Sequence, residues 1–443
     1  MEKFIVTGGN ALKGTVRVSG AKNAALKALV AACMTDEVVV IHNIPLISDI
    51  FVMIDIMRIL GVRVQLEDHT IRIQAEDFTQ TSIPLDKAAL ARTSAMFLAP
   101  LLARKHEAII PNPGGCRLGA RPIDRTTEGV SMMNAEVTYY SDDGYFHAKT
   151  DGLKGILYKF DKNTHTGTET MILAAVLAKG TTVLQNAAEE PEINDLIDLL
   201  NSMGGKISRT GSREITINGV EKLHGAEYTI QPDRIEVVTF AIAAALTGGD
   251  IIVIDAHKTQ IDIFLEKYLD AGGLYEKNAE GIRFYSNSTL KATNVTTGIH
   301  PGFMTDWQAP WAVLMTQADG ISIIHETVFE NKLKYINDLK KMGANVKLFN
   351  PDVVNKQEVY NFNLEDDEPE YFHAVKITGP KKLHNAVMTT LDIRAGAAIV
   401  LAALTAKGAS TIYGVEKLDR GYEKFEERLR SIGADIKRVK EII

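Results

Sequence analysis

Among the residues able to do chemistry, those of PNPGGCRLGARPIDR (residues 111–125) form the densest group. Repeated glycine and proline make this segment a loop rather than a core strand. Cys116 lies beside Arg117, with Arg121 and Arg125 close behind. Nearby cations and exposure lower the pKa of a thiol and make it reactive. A group that titrates near working pH can act as general acid or base, and a long glycine-rich loop can close over a site. Cys33, in AACM on an apolar helix, reads instead as inert packing.

A second candidate is SGAKNAAL, which sets Lys22 and Asn23 in the first turn of an expected helix. The helix dipole disfavours a cation there unless an anion offsets it. The amide groups of such a turn, together with a lysine, make a good anion site; a surface lysine beside a turn is the plainer reading. Arg92 in LARTSA and Arg394 in LDIRAGAA stand at equivalent places before apolar helices, and Arg420 lies in LDRGYE. Arginine grips phosphate and carboxylate through two parallel hydrogen bonds, although each arginine alone is also explained by a structural ion pair. Asp306, in HPGFMTDWQAPW, opens another apolar helix and reads either as an N-cap or as a general base. PDRIE, residues 232–236, reads as a charged hinge, with an ion pair between lobes as the plainer reading. No GxGxxG after a strand, P-loop, HExxH or serine elbow occurs, so hydride transfer, P-loop chemistry and zinc hydrolysis have no support. No cofactor and no metal is expected.

The elements that position these residues repeat. A helix ending at Gly61 leads into a strand at Val62, and the same turn recurs at Asn134, Gly204, Gly272, Gly343 and Gly433. The interval is roughly 70 residues, except for a last one of roughly 90, beyond the usual range of solenoid repeats. Glycine accepts the left-handed conformation that stops a helix, and asparagine is the next-best residue for it. Upstream of each turn lies a helix that is apolar on most sides, such as TMILAAVLAKG or AAIVLAALTAKG, followed by a short strand. Helices of that kind are central to a fold. Six units, each reading helix, strand, amphipathic helix and strand pair, predict an α/β protein with two groups of three around buried helices. One lobe is expected over 22–231, carrying the Cys116 loop. The other takes 1–21 and 232–443, because FIVTGG precedes the first unit. The chain then crosses twice, near Lys22 and near Asp233, and places between the lobes a cleft, a preferred kind of ligand site. The long last interval falls at 350–372, where LEDDEPE predicts an elongated, solvated acidic hairpin.

A chain of 443 residues buries ample core without disulfide or metal staples. Its net charge of -7 provides no global basic field for nucleic acid. Two cysteines give neither a disulfide framework nor zinc spacing, which fits a reducing compartment. MEKFIVTGGN has no apolar signal core, and the longest apolar stretch, at 395–404, is short of the about 20 residues a bilayer requires. A cytoplasmic protein with neither membrane nor nucleic-acid partner is the expectation, with its oligomeric state left open.

At these residues the chain resembles the enolpyruvyl transferase family, above all its members that act on a nucleotide sugar. SGAKNAAL, PGGCRLGARPID, EPEINDL, PDRIE, TDWQA, ETVFENK, DIRAGAA and DRGYEKFEERL occur in the family's order from end to end. The resemblance implies a two-lobed inside-out α/β barrel built from six βαβαββ repeats, three per lobe, which agrees with the six units counted above. It implies transfer of enolpyruvyl from phosphoenolpyruvate to the 3'-hydroxyl of UDP-N-acetylglucosamine by addition and elimination, with release of phosphate. That is the first committed step of peptidoglycan synthesis, and so bears on cell shape and division. Carried over residue by residue, it makes Cys116 a proton donor or relay and Asp306 the base for the hydroxyl. Lys22, Arg121, Arg394 and Arg420 become the cations around phosphoenolpyruvate, which Asn23 also contacts. The nucleotide sugar is expected to meet Arg92, Arg121, Pro122, Ile123, Asp124, Arg125, Lys162, Asn163, Thr164, His165, Asp306 and Val328. A thiol so placed should be alkylated by epoxide phosphonates such as fosfomycin.

Two places depart from the family. RPIDRT stands where RPIDLH is common, and Thr164-His165-Thr166-Gly167-Thr168 stands where SVGAT is common. Arg125 and His165 are therefore added polar groups on the nucleotide-sugar side, and the grip on diphosphate or uracil is expected to differ. The rivals are the shikimate-pathway enolpyruvyl transferase, disfavoured by the PGGC loop, and a silent or altered-acceptor paralogue that binds a nucleotide sugar. RNA 3'-phosphate cyclase has related repeats, but it would need a basic patch.

Overall fold

Six helices are buried over most of their length: α1 (Lys22–Ala32), α2 (Leu98–Lys105), α3 (His165–Val176), α4 (Arg234–Thr247), α5 (Gln308–Thr316) and α6 (Ile393–Thr405). Their alanines and leucines favour the helix and bring no polar side chain into the core. The computed structural model describes residues 2–112, 123–286 and 289–440, without the side chain of Lys258.

Each buried helix belongs to one copy of a small mixed sheet. In the copy that follows α3, Thr181–Gln185 runs parallel to Leu157–Lys159 and antiparallel to Glu214–Asn218, which pairs in turn with Ile207–Gly211. Four other sheets share this order of one parallel pair and two antiparallel neighbours. The sixth has three strands, Glu107–Pro111, Tyr145–Thr150 and Ala135–Tyr140, and a single parallel bridge from Ser82 to Ile109 stands in for its fourth. The protein is thus an α/β fold of six βαβαββ repeats, with helices inside and sheets outside.

The described residues form two compact units, one of 20–112 with 123–231 and one of 2–19 with 232–440. Each has its own hydrophobic core. In the first, α1 and α3 pack against the 3-10 turn Arg92–Phe97 that leads into α2. In the second, α4, α5 and α6 pack on one another. The N-terminal strand Glu2–Thr7 sits between Ala409–Tyr413 and Asp435–Lys440, while Lys13–Arg17 runs parallel to Asp250–Ile254. The chain passes between units at Ser19–Gly20 and at Gln231–Pro232.

The six repeated turns all adopt the left-handed conformation, with φ of 93° at Gly61, 76° at Asn134, 95° at Gly204, 86° at Gly272, 90° at Gly343 and 104° at Gly433. One expectation is corrected at 350–372. The ladder between Asn345–Phe349 and Ala374–Gly379 ends at the Phe349–Ala374 pair, so the hairpin does not elongate. The inserted residues instead make two short helical turns, Lys356–Val359 and Leu364–Asp366, and fold back. The cause is aromatic. Tyr360 and Phe362 stack with ring centroids 4.9 Å apart, both buried, and the Asn361 N–H donates to the Thr327 carbonyl at 2.8 Å. An extended hairpin would leave both rings in water.

The turns separate strain from crowding. A Cβ at Gly433 would meet nothing closer than the Ala11 carbonyl at 3.7 Å, whereas one at Gly61 would come within 2.6 Å of the Thr79 hydroxyl. Gly433→Ala should therefore lose about 1–2 kcal/mol from backbone strain alone. Gly61→Ala should lose a further 1–3 kcal/mol, roughly, from overpacking. Urea unfolding midpoints check this, and equal losses at the two sites would contradict it.

Candidate active site

In the unit built on α1–α3, the central helices begin with basic residues. Lys22 is the first residue of α1, and its Nζ lies 2.7 Å from Asp49 Oδ2, with both side chains almost fully buried. Asp49 sits in the first turn of the helix Ser48–Ile59. The offset that a cation needs at a helix head is thus supplied, at least in part, by the protein itself. Asn23 follows on α1, half-buried. Arg92 opens the turn that runs into α2. His165 opens α3, which Thr164 caps by accepting from the Gly167 N–H at 3.2 Å.

The two segments singled out for the nucleotide sugar meet in this unit. Asp124 opens the helix Asp124–Met132, just after Ile123. Arg125, next on that helix, donates from Nε to Asp161 Oδ1 at 2.5 Å and from Nη2 to Oδ2 at 3.3 Å. Burial opposes ionisation of Asp161, yet the Arg125 guanidinium holds its carboxyl below the usual range. Tyr158 fixes the same helix by donating to the Arg125 carbonyl at 3.0 Å and to Glu128 at 2.8 Å. Lys162 follows Asp161, and Asn163, buried, donates to the Asn186 carbonyl at 3.0 Å. Cys116, Arg121 and Pro122 lie outside the described residues.

In the unit built on α4–α6, Asp306 is the middle residue of the 3-10 turn Thr305–Trp307, which leads into α5. It caps neither the turn nor the helix, so the N-cap reading is set aside. Its carboxylate accepts from Arg394 Nε at 3.1 Å. Arg394, the second residue of α6, is buried and lies over the Tyr422 ring, 5.4 Å from the centroid. Asp392 caps α6, accepting at 2.9 Å from the N–H groups of both Arg394 and Ala395. Burial opposes the charge on Arg394, but Tyr422, Asp306 and Asp233 together outweigh it and raise the guanidinium's pKa. The buried Nη1 of Arg394 has no hydrogen-bond partner among the described residues. A fully charged guanidinium with an unused donor favours binding a further anion. Arg420 closes the turn Val415–Arg420, which packs on α6.

PDRIE makes its closest contacts at the head of α4. Asp233 caps α4 by accepting from the Ile235 and Glu236 N–H groups at 2.7 and 3.2 Å. Arg234 lies over the Trp307 ring, 5.7 Å from its centroid. Glu236 takes both ends of Arg428 at 2.5 and 2.7 Å, and also accepts the Ser19 N–H at 2.8 Å, all within its own unit. A buried carboxylate is best satisfied by such a two-point guanidinium contact close at hand.

Glu326 was passed over by sequence reasoning, yet it fixes two expected contacts at once. It is fully buried, and burial pushes its carboxyl pKa up. One oxygen accepts from the Thr305 hydroxyl at 2.8 Å and from Gln308 Nε2 at 3.2 Å. The other accepts from the N–H groups of Val328 at 2.8 Å and Phe329 at 3.1 Å. The Asp306 turn and Val328 are therefore held by one side chain. In sequence HETVFE offers two acids, and nothing marks Glu326 over Glu330. Asp49 escaped notice for a similar reason: its partner Lys22 is 27 positions away in the chain. Among the described residues, no cluster of His, Cys, Asp and Glu is able to hold a metal ion, and no helix is long and apolar enough to cross a membrane.

The family model described as EPSP synthase (3-phosphoshikimate 1-carboxyvinyltransferase) matches residues 6–429. A UDP-N-acetylglucosamine 1-carboxyvinyltransferase of Koribacter versatilis is 41% identical over 446 residues, covering 100% of this chain and 98% of that protein. One from Desulfatibacillum aliphaticivorans is 41% identical, with 99% and 100% covered. Among solved structures, the enolpyruvyl transferase NikO of Streptomyces tendae superposes with a TM-score of 0.85 at 23% identity, covering 100% of this chain and 99% of its own. EPSP synthase of Acinetobacter baumannii follows with a TM-score of 0.73 at 18% identity, with 99% and 100% covered. At those identities the structural likeness speaks for the fold, and the sequence relatives speak for the family. The chain belongs to the UDP-N-acetylglucosamine 1-carboxyvinyltransferase family of enolpyruvyl transferases.

Proposed function

We propose that the protein transfers the enolpyruvyl group of phosphoenolpyruvate to the 3'-hydroxyl of UDP-N-acetylglucosamine and releases phosphate. The observation that carries this is the relationship itself, 41% identity along the whole chain to proteins named for that reaction. In this reading the protein works in the cytoplasm, its product feeds peptidoglycan, and cell shape and division depend on it.

The chemistry divides among the residues as follows. Cys116 delivers a proton to C3 of phosphoenolpyruvate, and positive charge develops at C2. The 3'-hydroxyl oxygen bonds to C2 while its proton passes to Asp306. The resulting ketal then loses a proton from C3 and phosphate from C2, which restores the double bond. Phosphoenolpyruvate carries both a phosphate and a carboxylate, and Lys22, Arg121, Arg394 and Arg420 supply the cations, with Asn23 as a neutral contact. Charges fixed in advance and shielded from water stabilise such a transition state better than solvent can. An ion-paired carboxylate is a weak base. The unused donor of Arg394 offers a way out: an arriving anion draws the guanidinium and loosens its hold on Asp306. Arg92, Ile123–Arg125, Lys162–His165 and Val328 line the side of the nucleotide sugar. Cys116 is then the group that fosfomycin alkylates.

Phosphate release should occur with phosphoenolpyruvate plus UDP-N-acetylglucosamine, and not with shikimate 3-phosphate or without acceptor. Release with shikimate 3-phosphate alone would move the protein to the other branch of the family. No release with either acceptor, from a folded protein that binds the nucleotide sugar, would point to a silent relative. Asp306→Asn should lower kcat about 10²–10⁴-fold, the usual contribution of a general base. An unchanged kcat would remove Asp306 from the proton's path.

A further inference from the structure

Four charged side chains converge at the head of α3. Lys27 Nζ lies 3.2 Å from Glu169 Oε2, and His165 Nε2 lies 3.2 Å from Glu169 Oε1. The Lys27 and Glu169 side chains are 6% and 0% exposed, but His165 keeps 23%, so the histidine is the member of this trio that reaches solvent. The fourth is Glu190, which immediately precedes the helix Pro191–Ser202; its carboxylate also acts on His165 and has one buried oxygen without a hydrogen-bond partner. Three elements thus face the imidazole with charge: α1 through Lys27, α3 through Glu169, and the start of Pro191–Ser202 through Glu190.

Glu190 is shared with Arg209, whose charge it also meets, so the balance at His165 is set chiefly by Glu169 and Lys27. Within that trio a neutral imidazole leaves one lysine against one carboxylate, and an imidazolium adds a positive charge that an incoming anion can offset. An unbalanced buried charge is costly. Burial pushes His165 toward the neutral form, but the negative charge of Glu169 at close range outweighs it and raises the pKa, while Lys27 opposes that rise. The resulting cation sits on the first residue of a helix, where the dipole disfavours it and favours an anion beside it. Both oxygens of Glu169 and Nε2 of His165 lack a well-directed hydrogen bond, so the group is held by charge more than by fixed bonds.

Resting on the proposed function, we infer that His165, Glu169 and Lys27 act together as a proton-linked positioning device for the acceptor. His165 presents the charge that the diphosphate of the nucleotide sugar meets, Glu169 holds that charge in place, and Lys27 limits how tightly it is held. Acceptor binding and protonation of His165 then favour each other. The benefit is present while His165 is protonated and is lost as pH rises through its pKa. Phosphoenolpyruvate binding does not share that dependence.

The test is an NMR titration of the His165 ring protons in the whole protein, with and without UDP-N-acetylglucosamine, assigned by the signal lost in His165→Gln. Steady-state KM for each substrate is followed over the same pH range. The nucleotide sugar should raise the His165 pKa by about one unit, matched by roughly tenfold weaker acceptor binding on the alkaline side. KM for phosphoenolpyruvate should show no such limb. Glu169→Gln should move the His165 titration and the acceptor limb to lower pH, and Lys27→Met should move both to higher pH. A purely structural cluster would move neither limb. The comparison with and without acceptor needs no variant to fold. If phosphate is released with the nucleotide sugar and the His165 titration is the same in both states, the device is overturned and the transferase reading stands. If UDP-N-acetylglucosamine neither binds nor supports phosphate release, both are overturned.

Discussion

A cation at the head of a buried helix is the constraint on which much of this structure turns. Lys22, Arg92, His165 and Arg234 open central helices or the turns that lead into them, and Arg394 stands second in α6. That end of a helix repels positive charge, and the low-dielectric core magnifies the effect. The fold answers with carboxylates: Asp49 for Lys22 and Asp306 for Arg394 come from other elements, and Glu169 for His165 from one turn along the same helix. Removing one member of such a pair would leave a buried charge with less to balance it, so the pairs are mutually binding constraints.

The repeat explains how so many cations come to stand at equivalent places. A βαβαββ unit starts its central helix from the end of a parallel strand and covers it with a sheet and an amphipathic helix. Three such units share one core, and their helix heads are set by the same connection each time. Within that frame chemistry changes by single substitutions: a lysine, an arginine or a histidine at one position, and an aspartate one turn before α5.

Much of the architecture was legible in the sequence because it is periodic. The six turn residues from Gly61 to Gly433 marked the repeats, and their left-handed conformation is a local property that a residue type can announce. The apolar helices were readable for the same reason. What the sequence hid was which side chains meet once the chain is folded. Nothing about Glu169 marks it as the partner of both His165 and Lys27, and nothing in HETVFE reveals that Glu326 collects four donors. The insertion at 350–372 was misjudged because its acids are conspicuous and its anchors, Tyr360 and Phe362, are not. Charge marked the segment as solvated, while two rings decided where it packed.

The N-terminal strand bears on how the molecule is made. Residues 2–7 pair with 409–413 on one side and with 435–440 on the other, and residues 13–17 pair with 250–254. The ribosome therefore releases the first strand of a sheet some four hundred residues before its neighbours. The unit of residues 20–231 has all of its own strands as soon as Thr229 emerges, and it can close while the N-terminal segment still has unpaired edges. The edges of residues 2–7 stay open longest, until 409–413 and 435–440 are made. Charges at Glu2, Lys3, Lys13 and Arg17 disfavour pairing with other chains, until 250–254 claims the second strand and the last repeat claims the first.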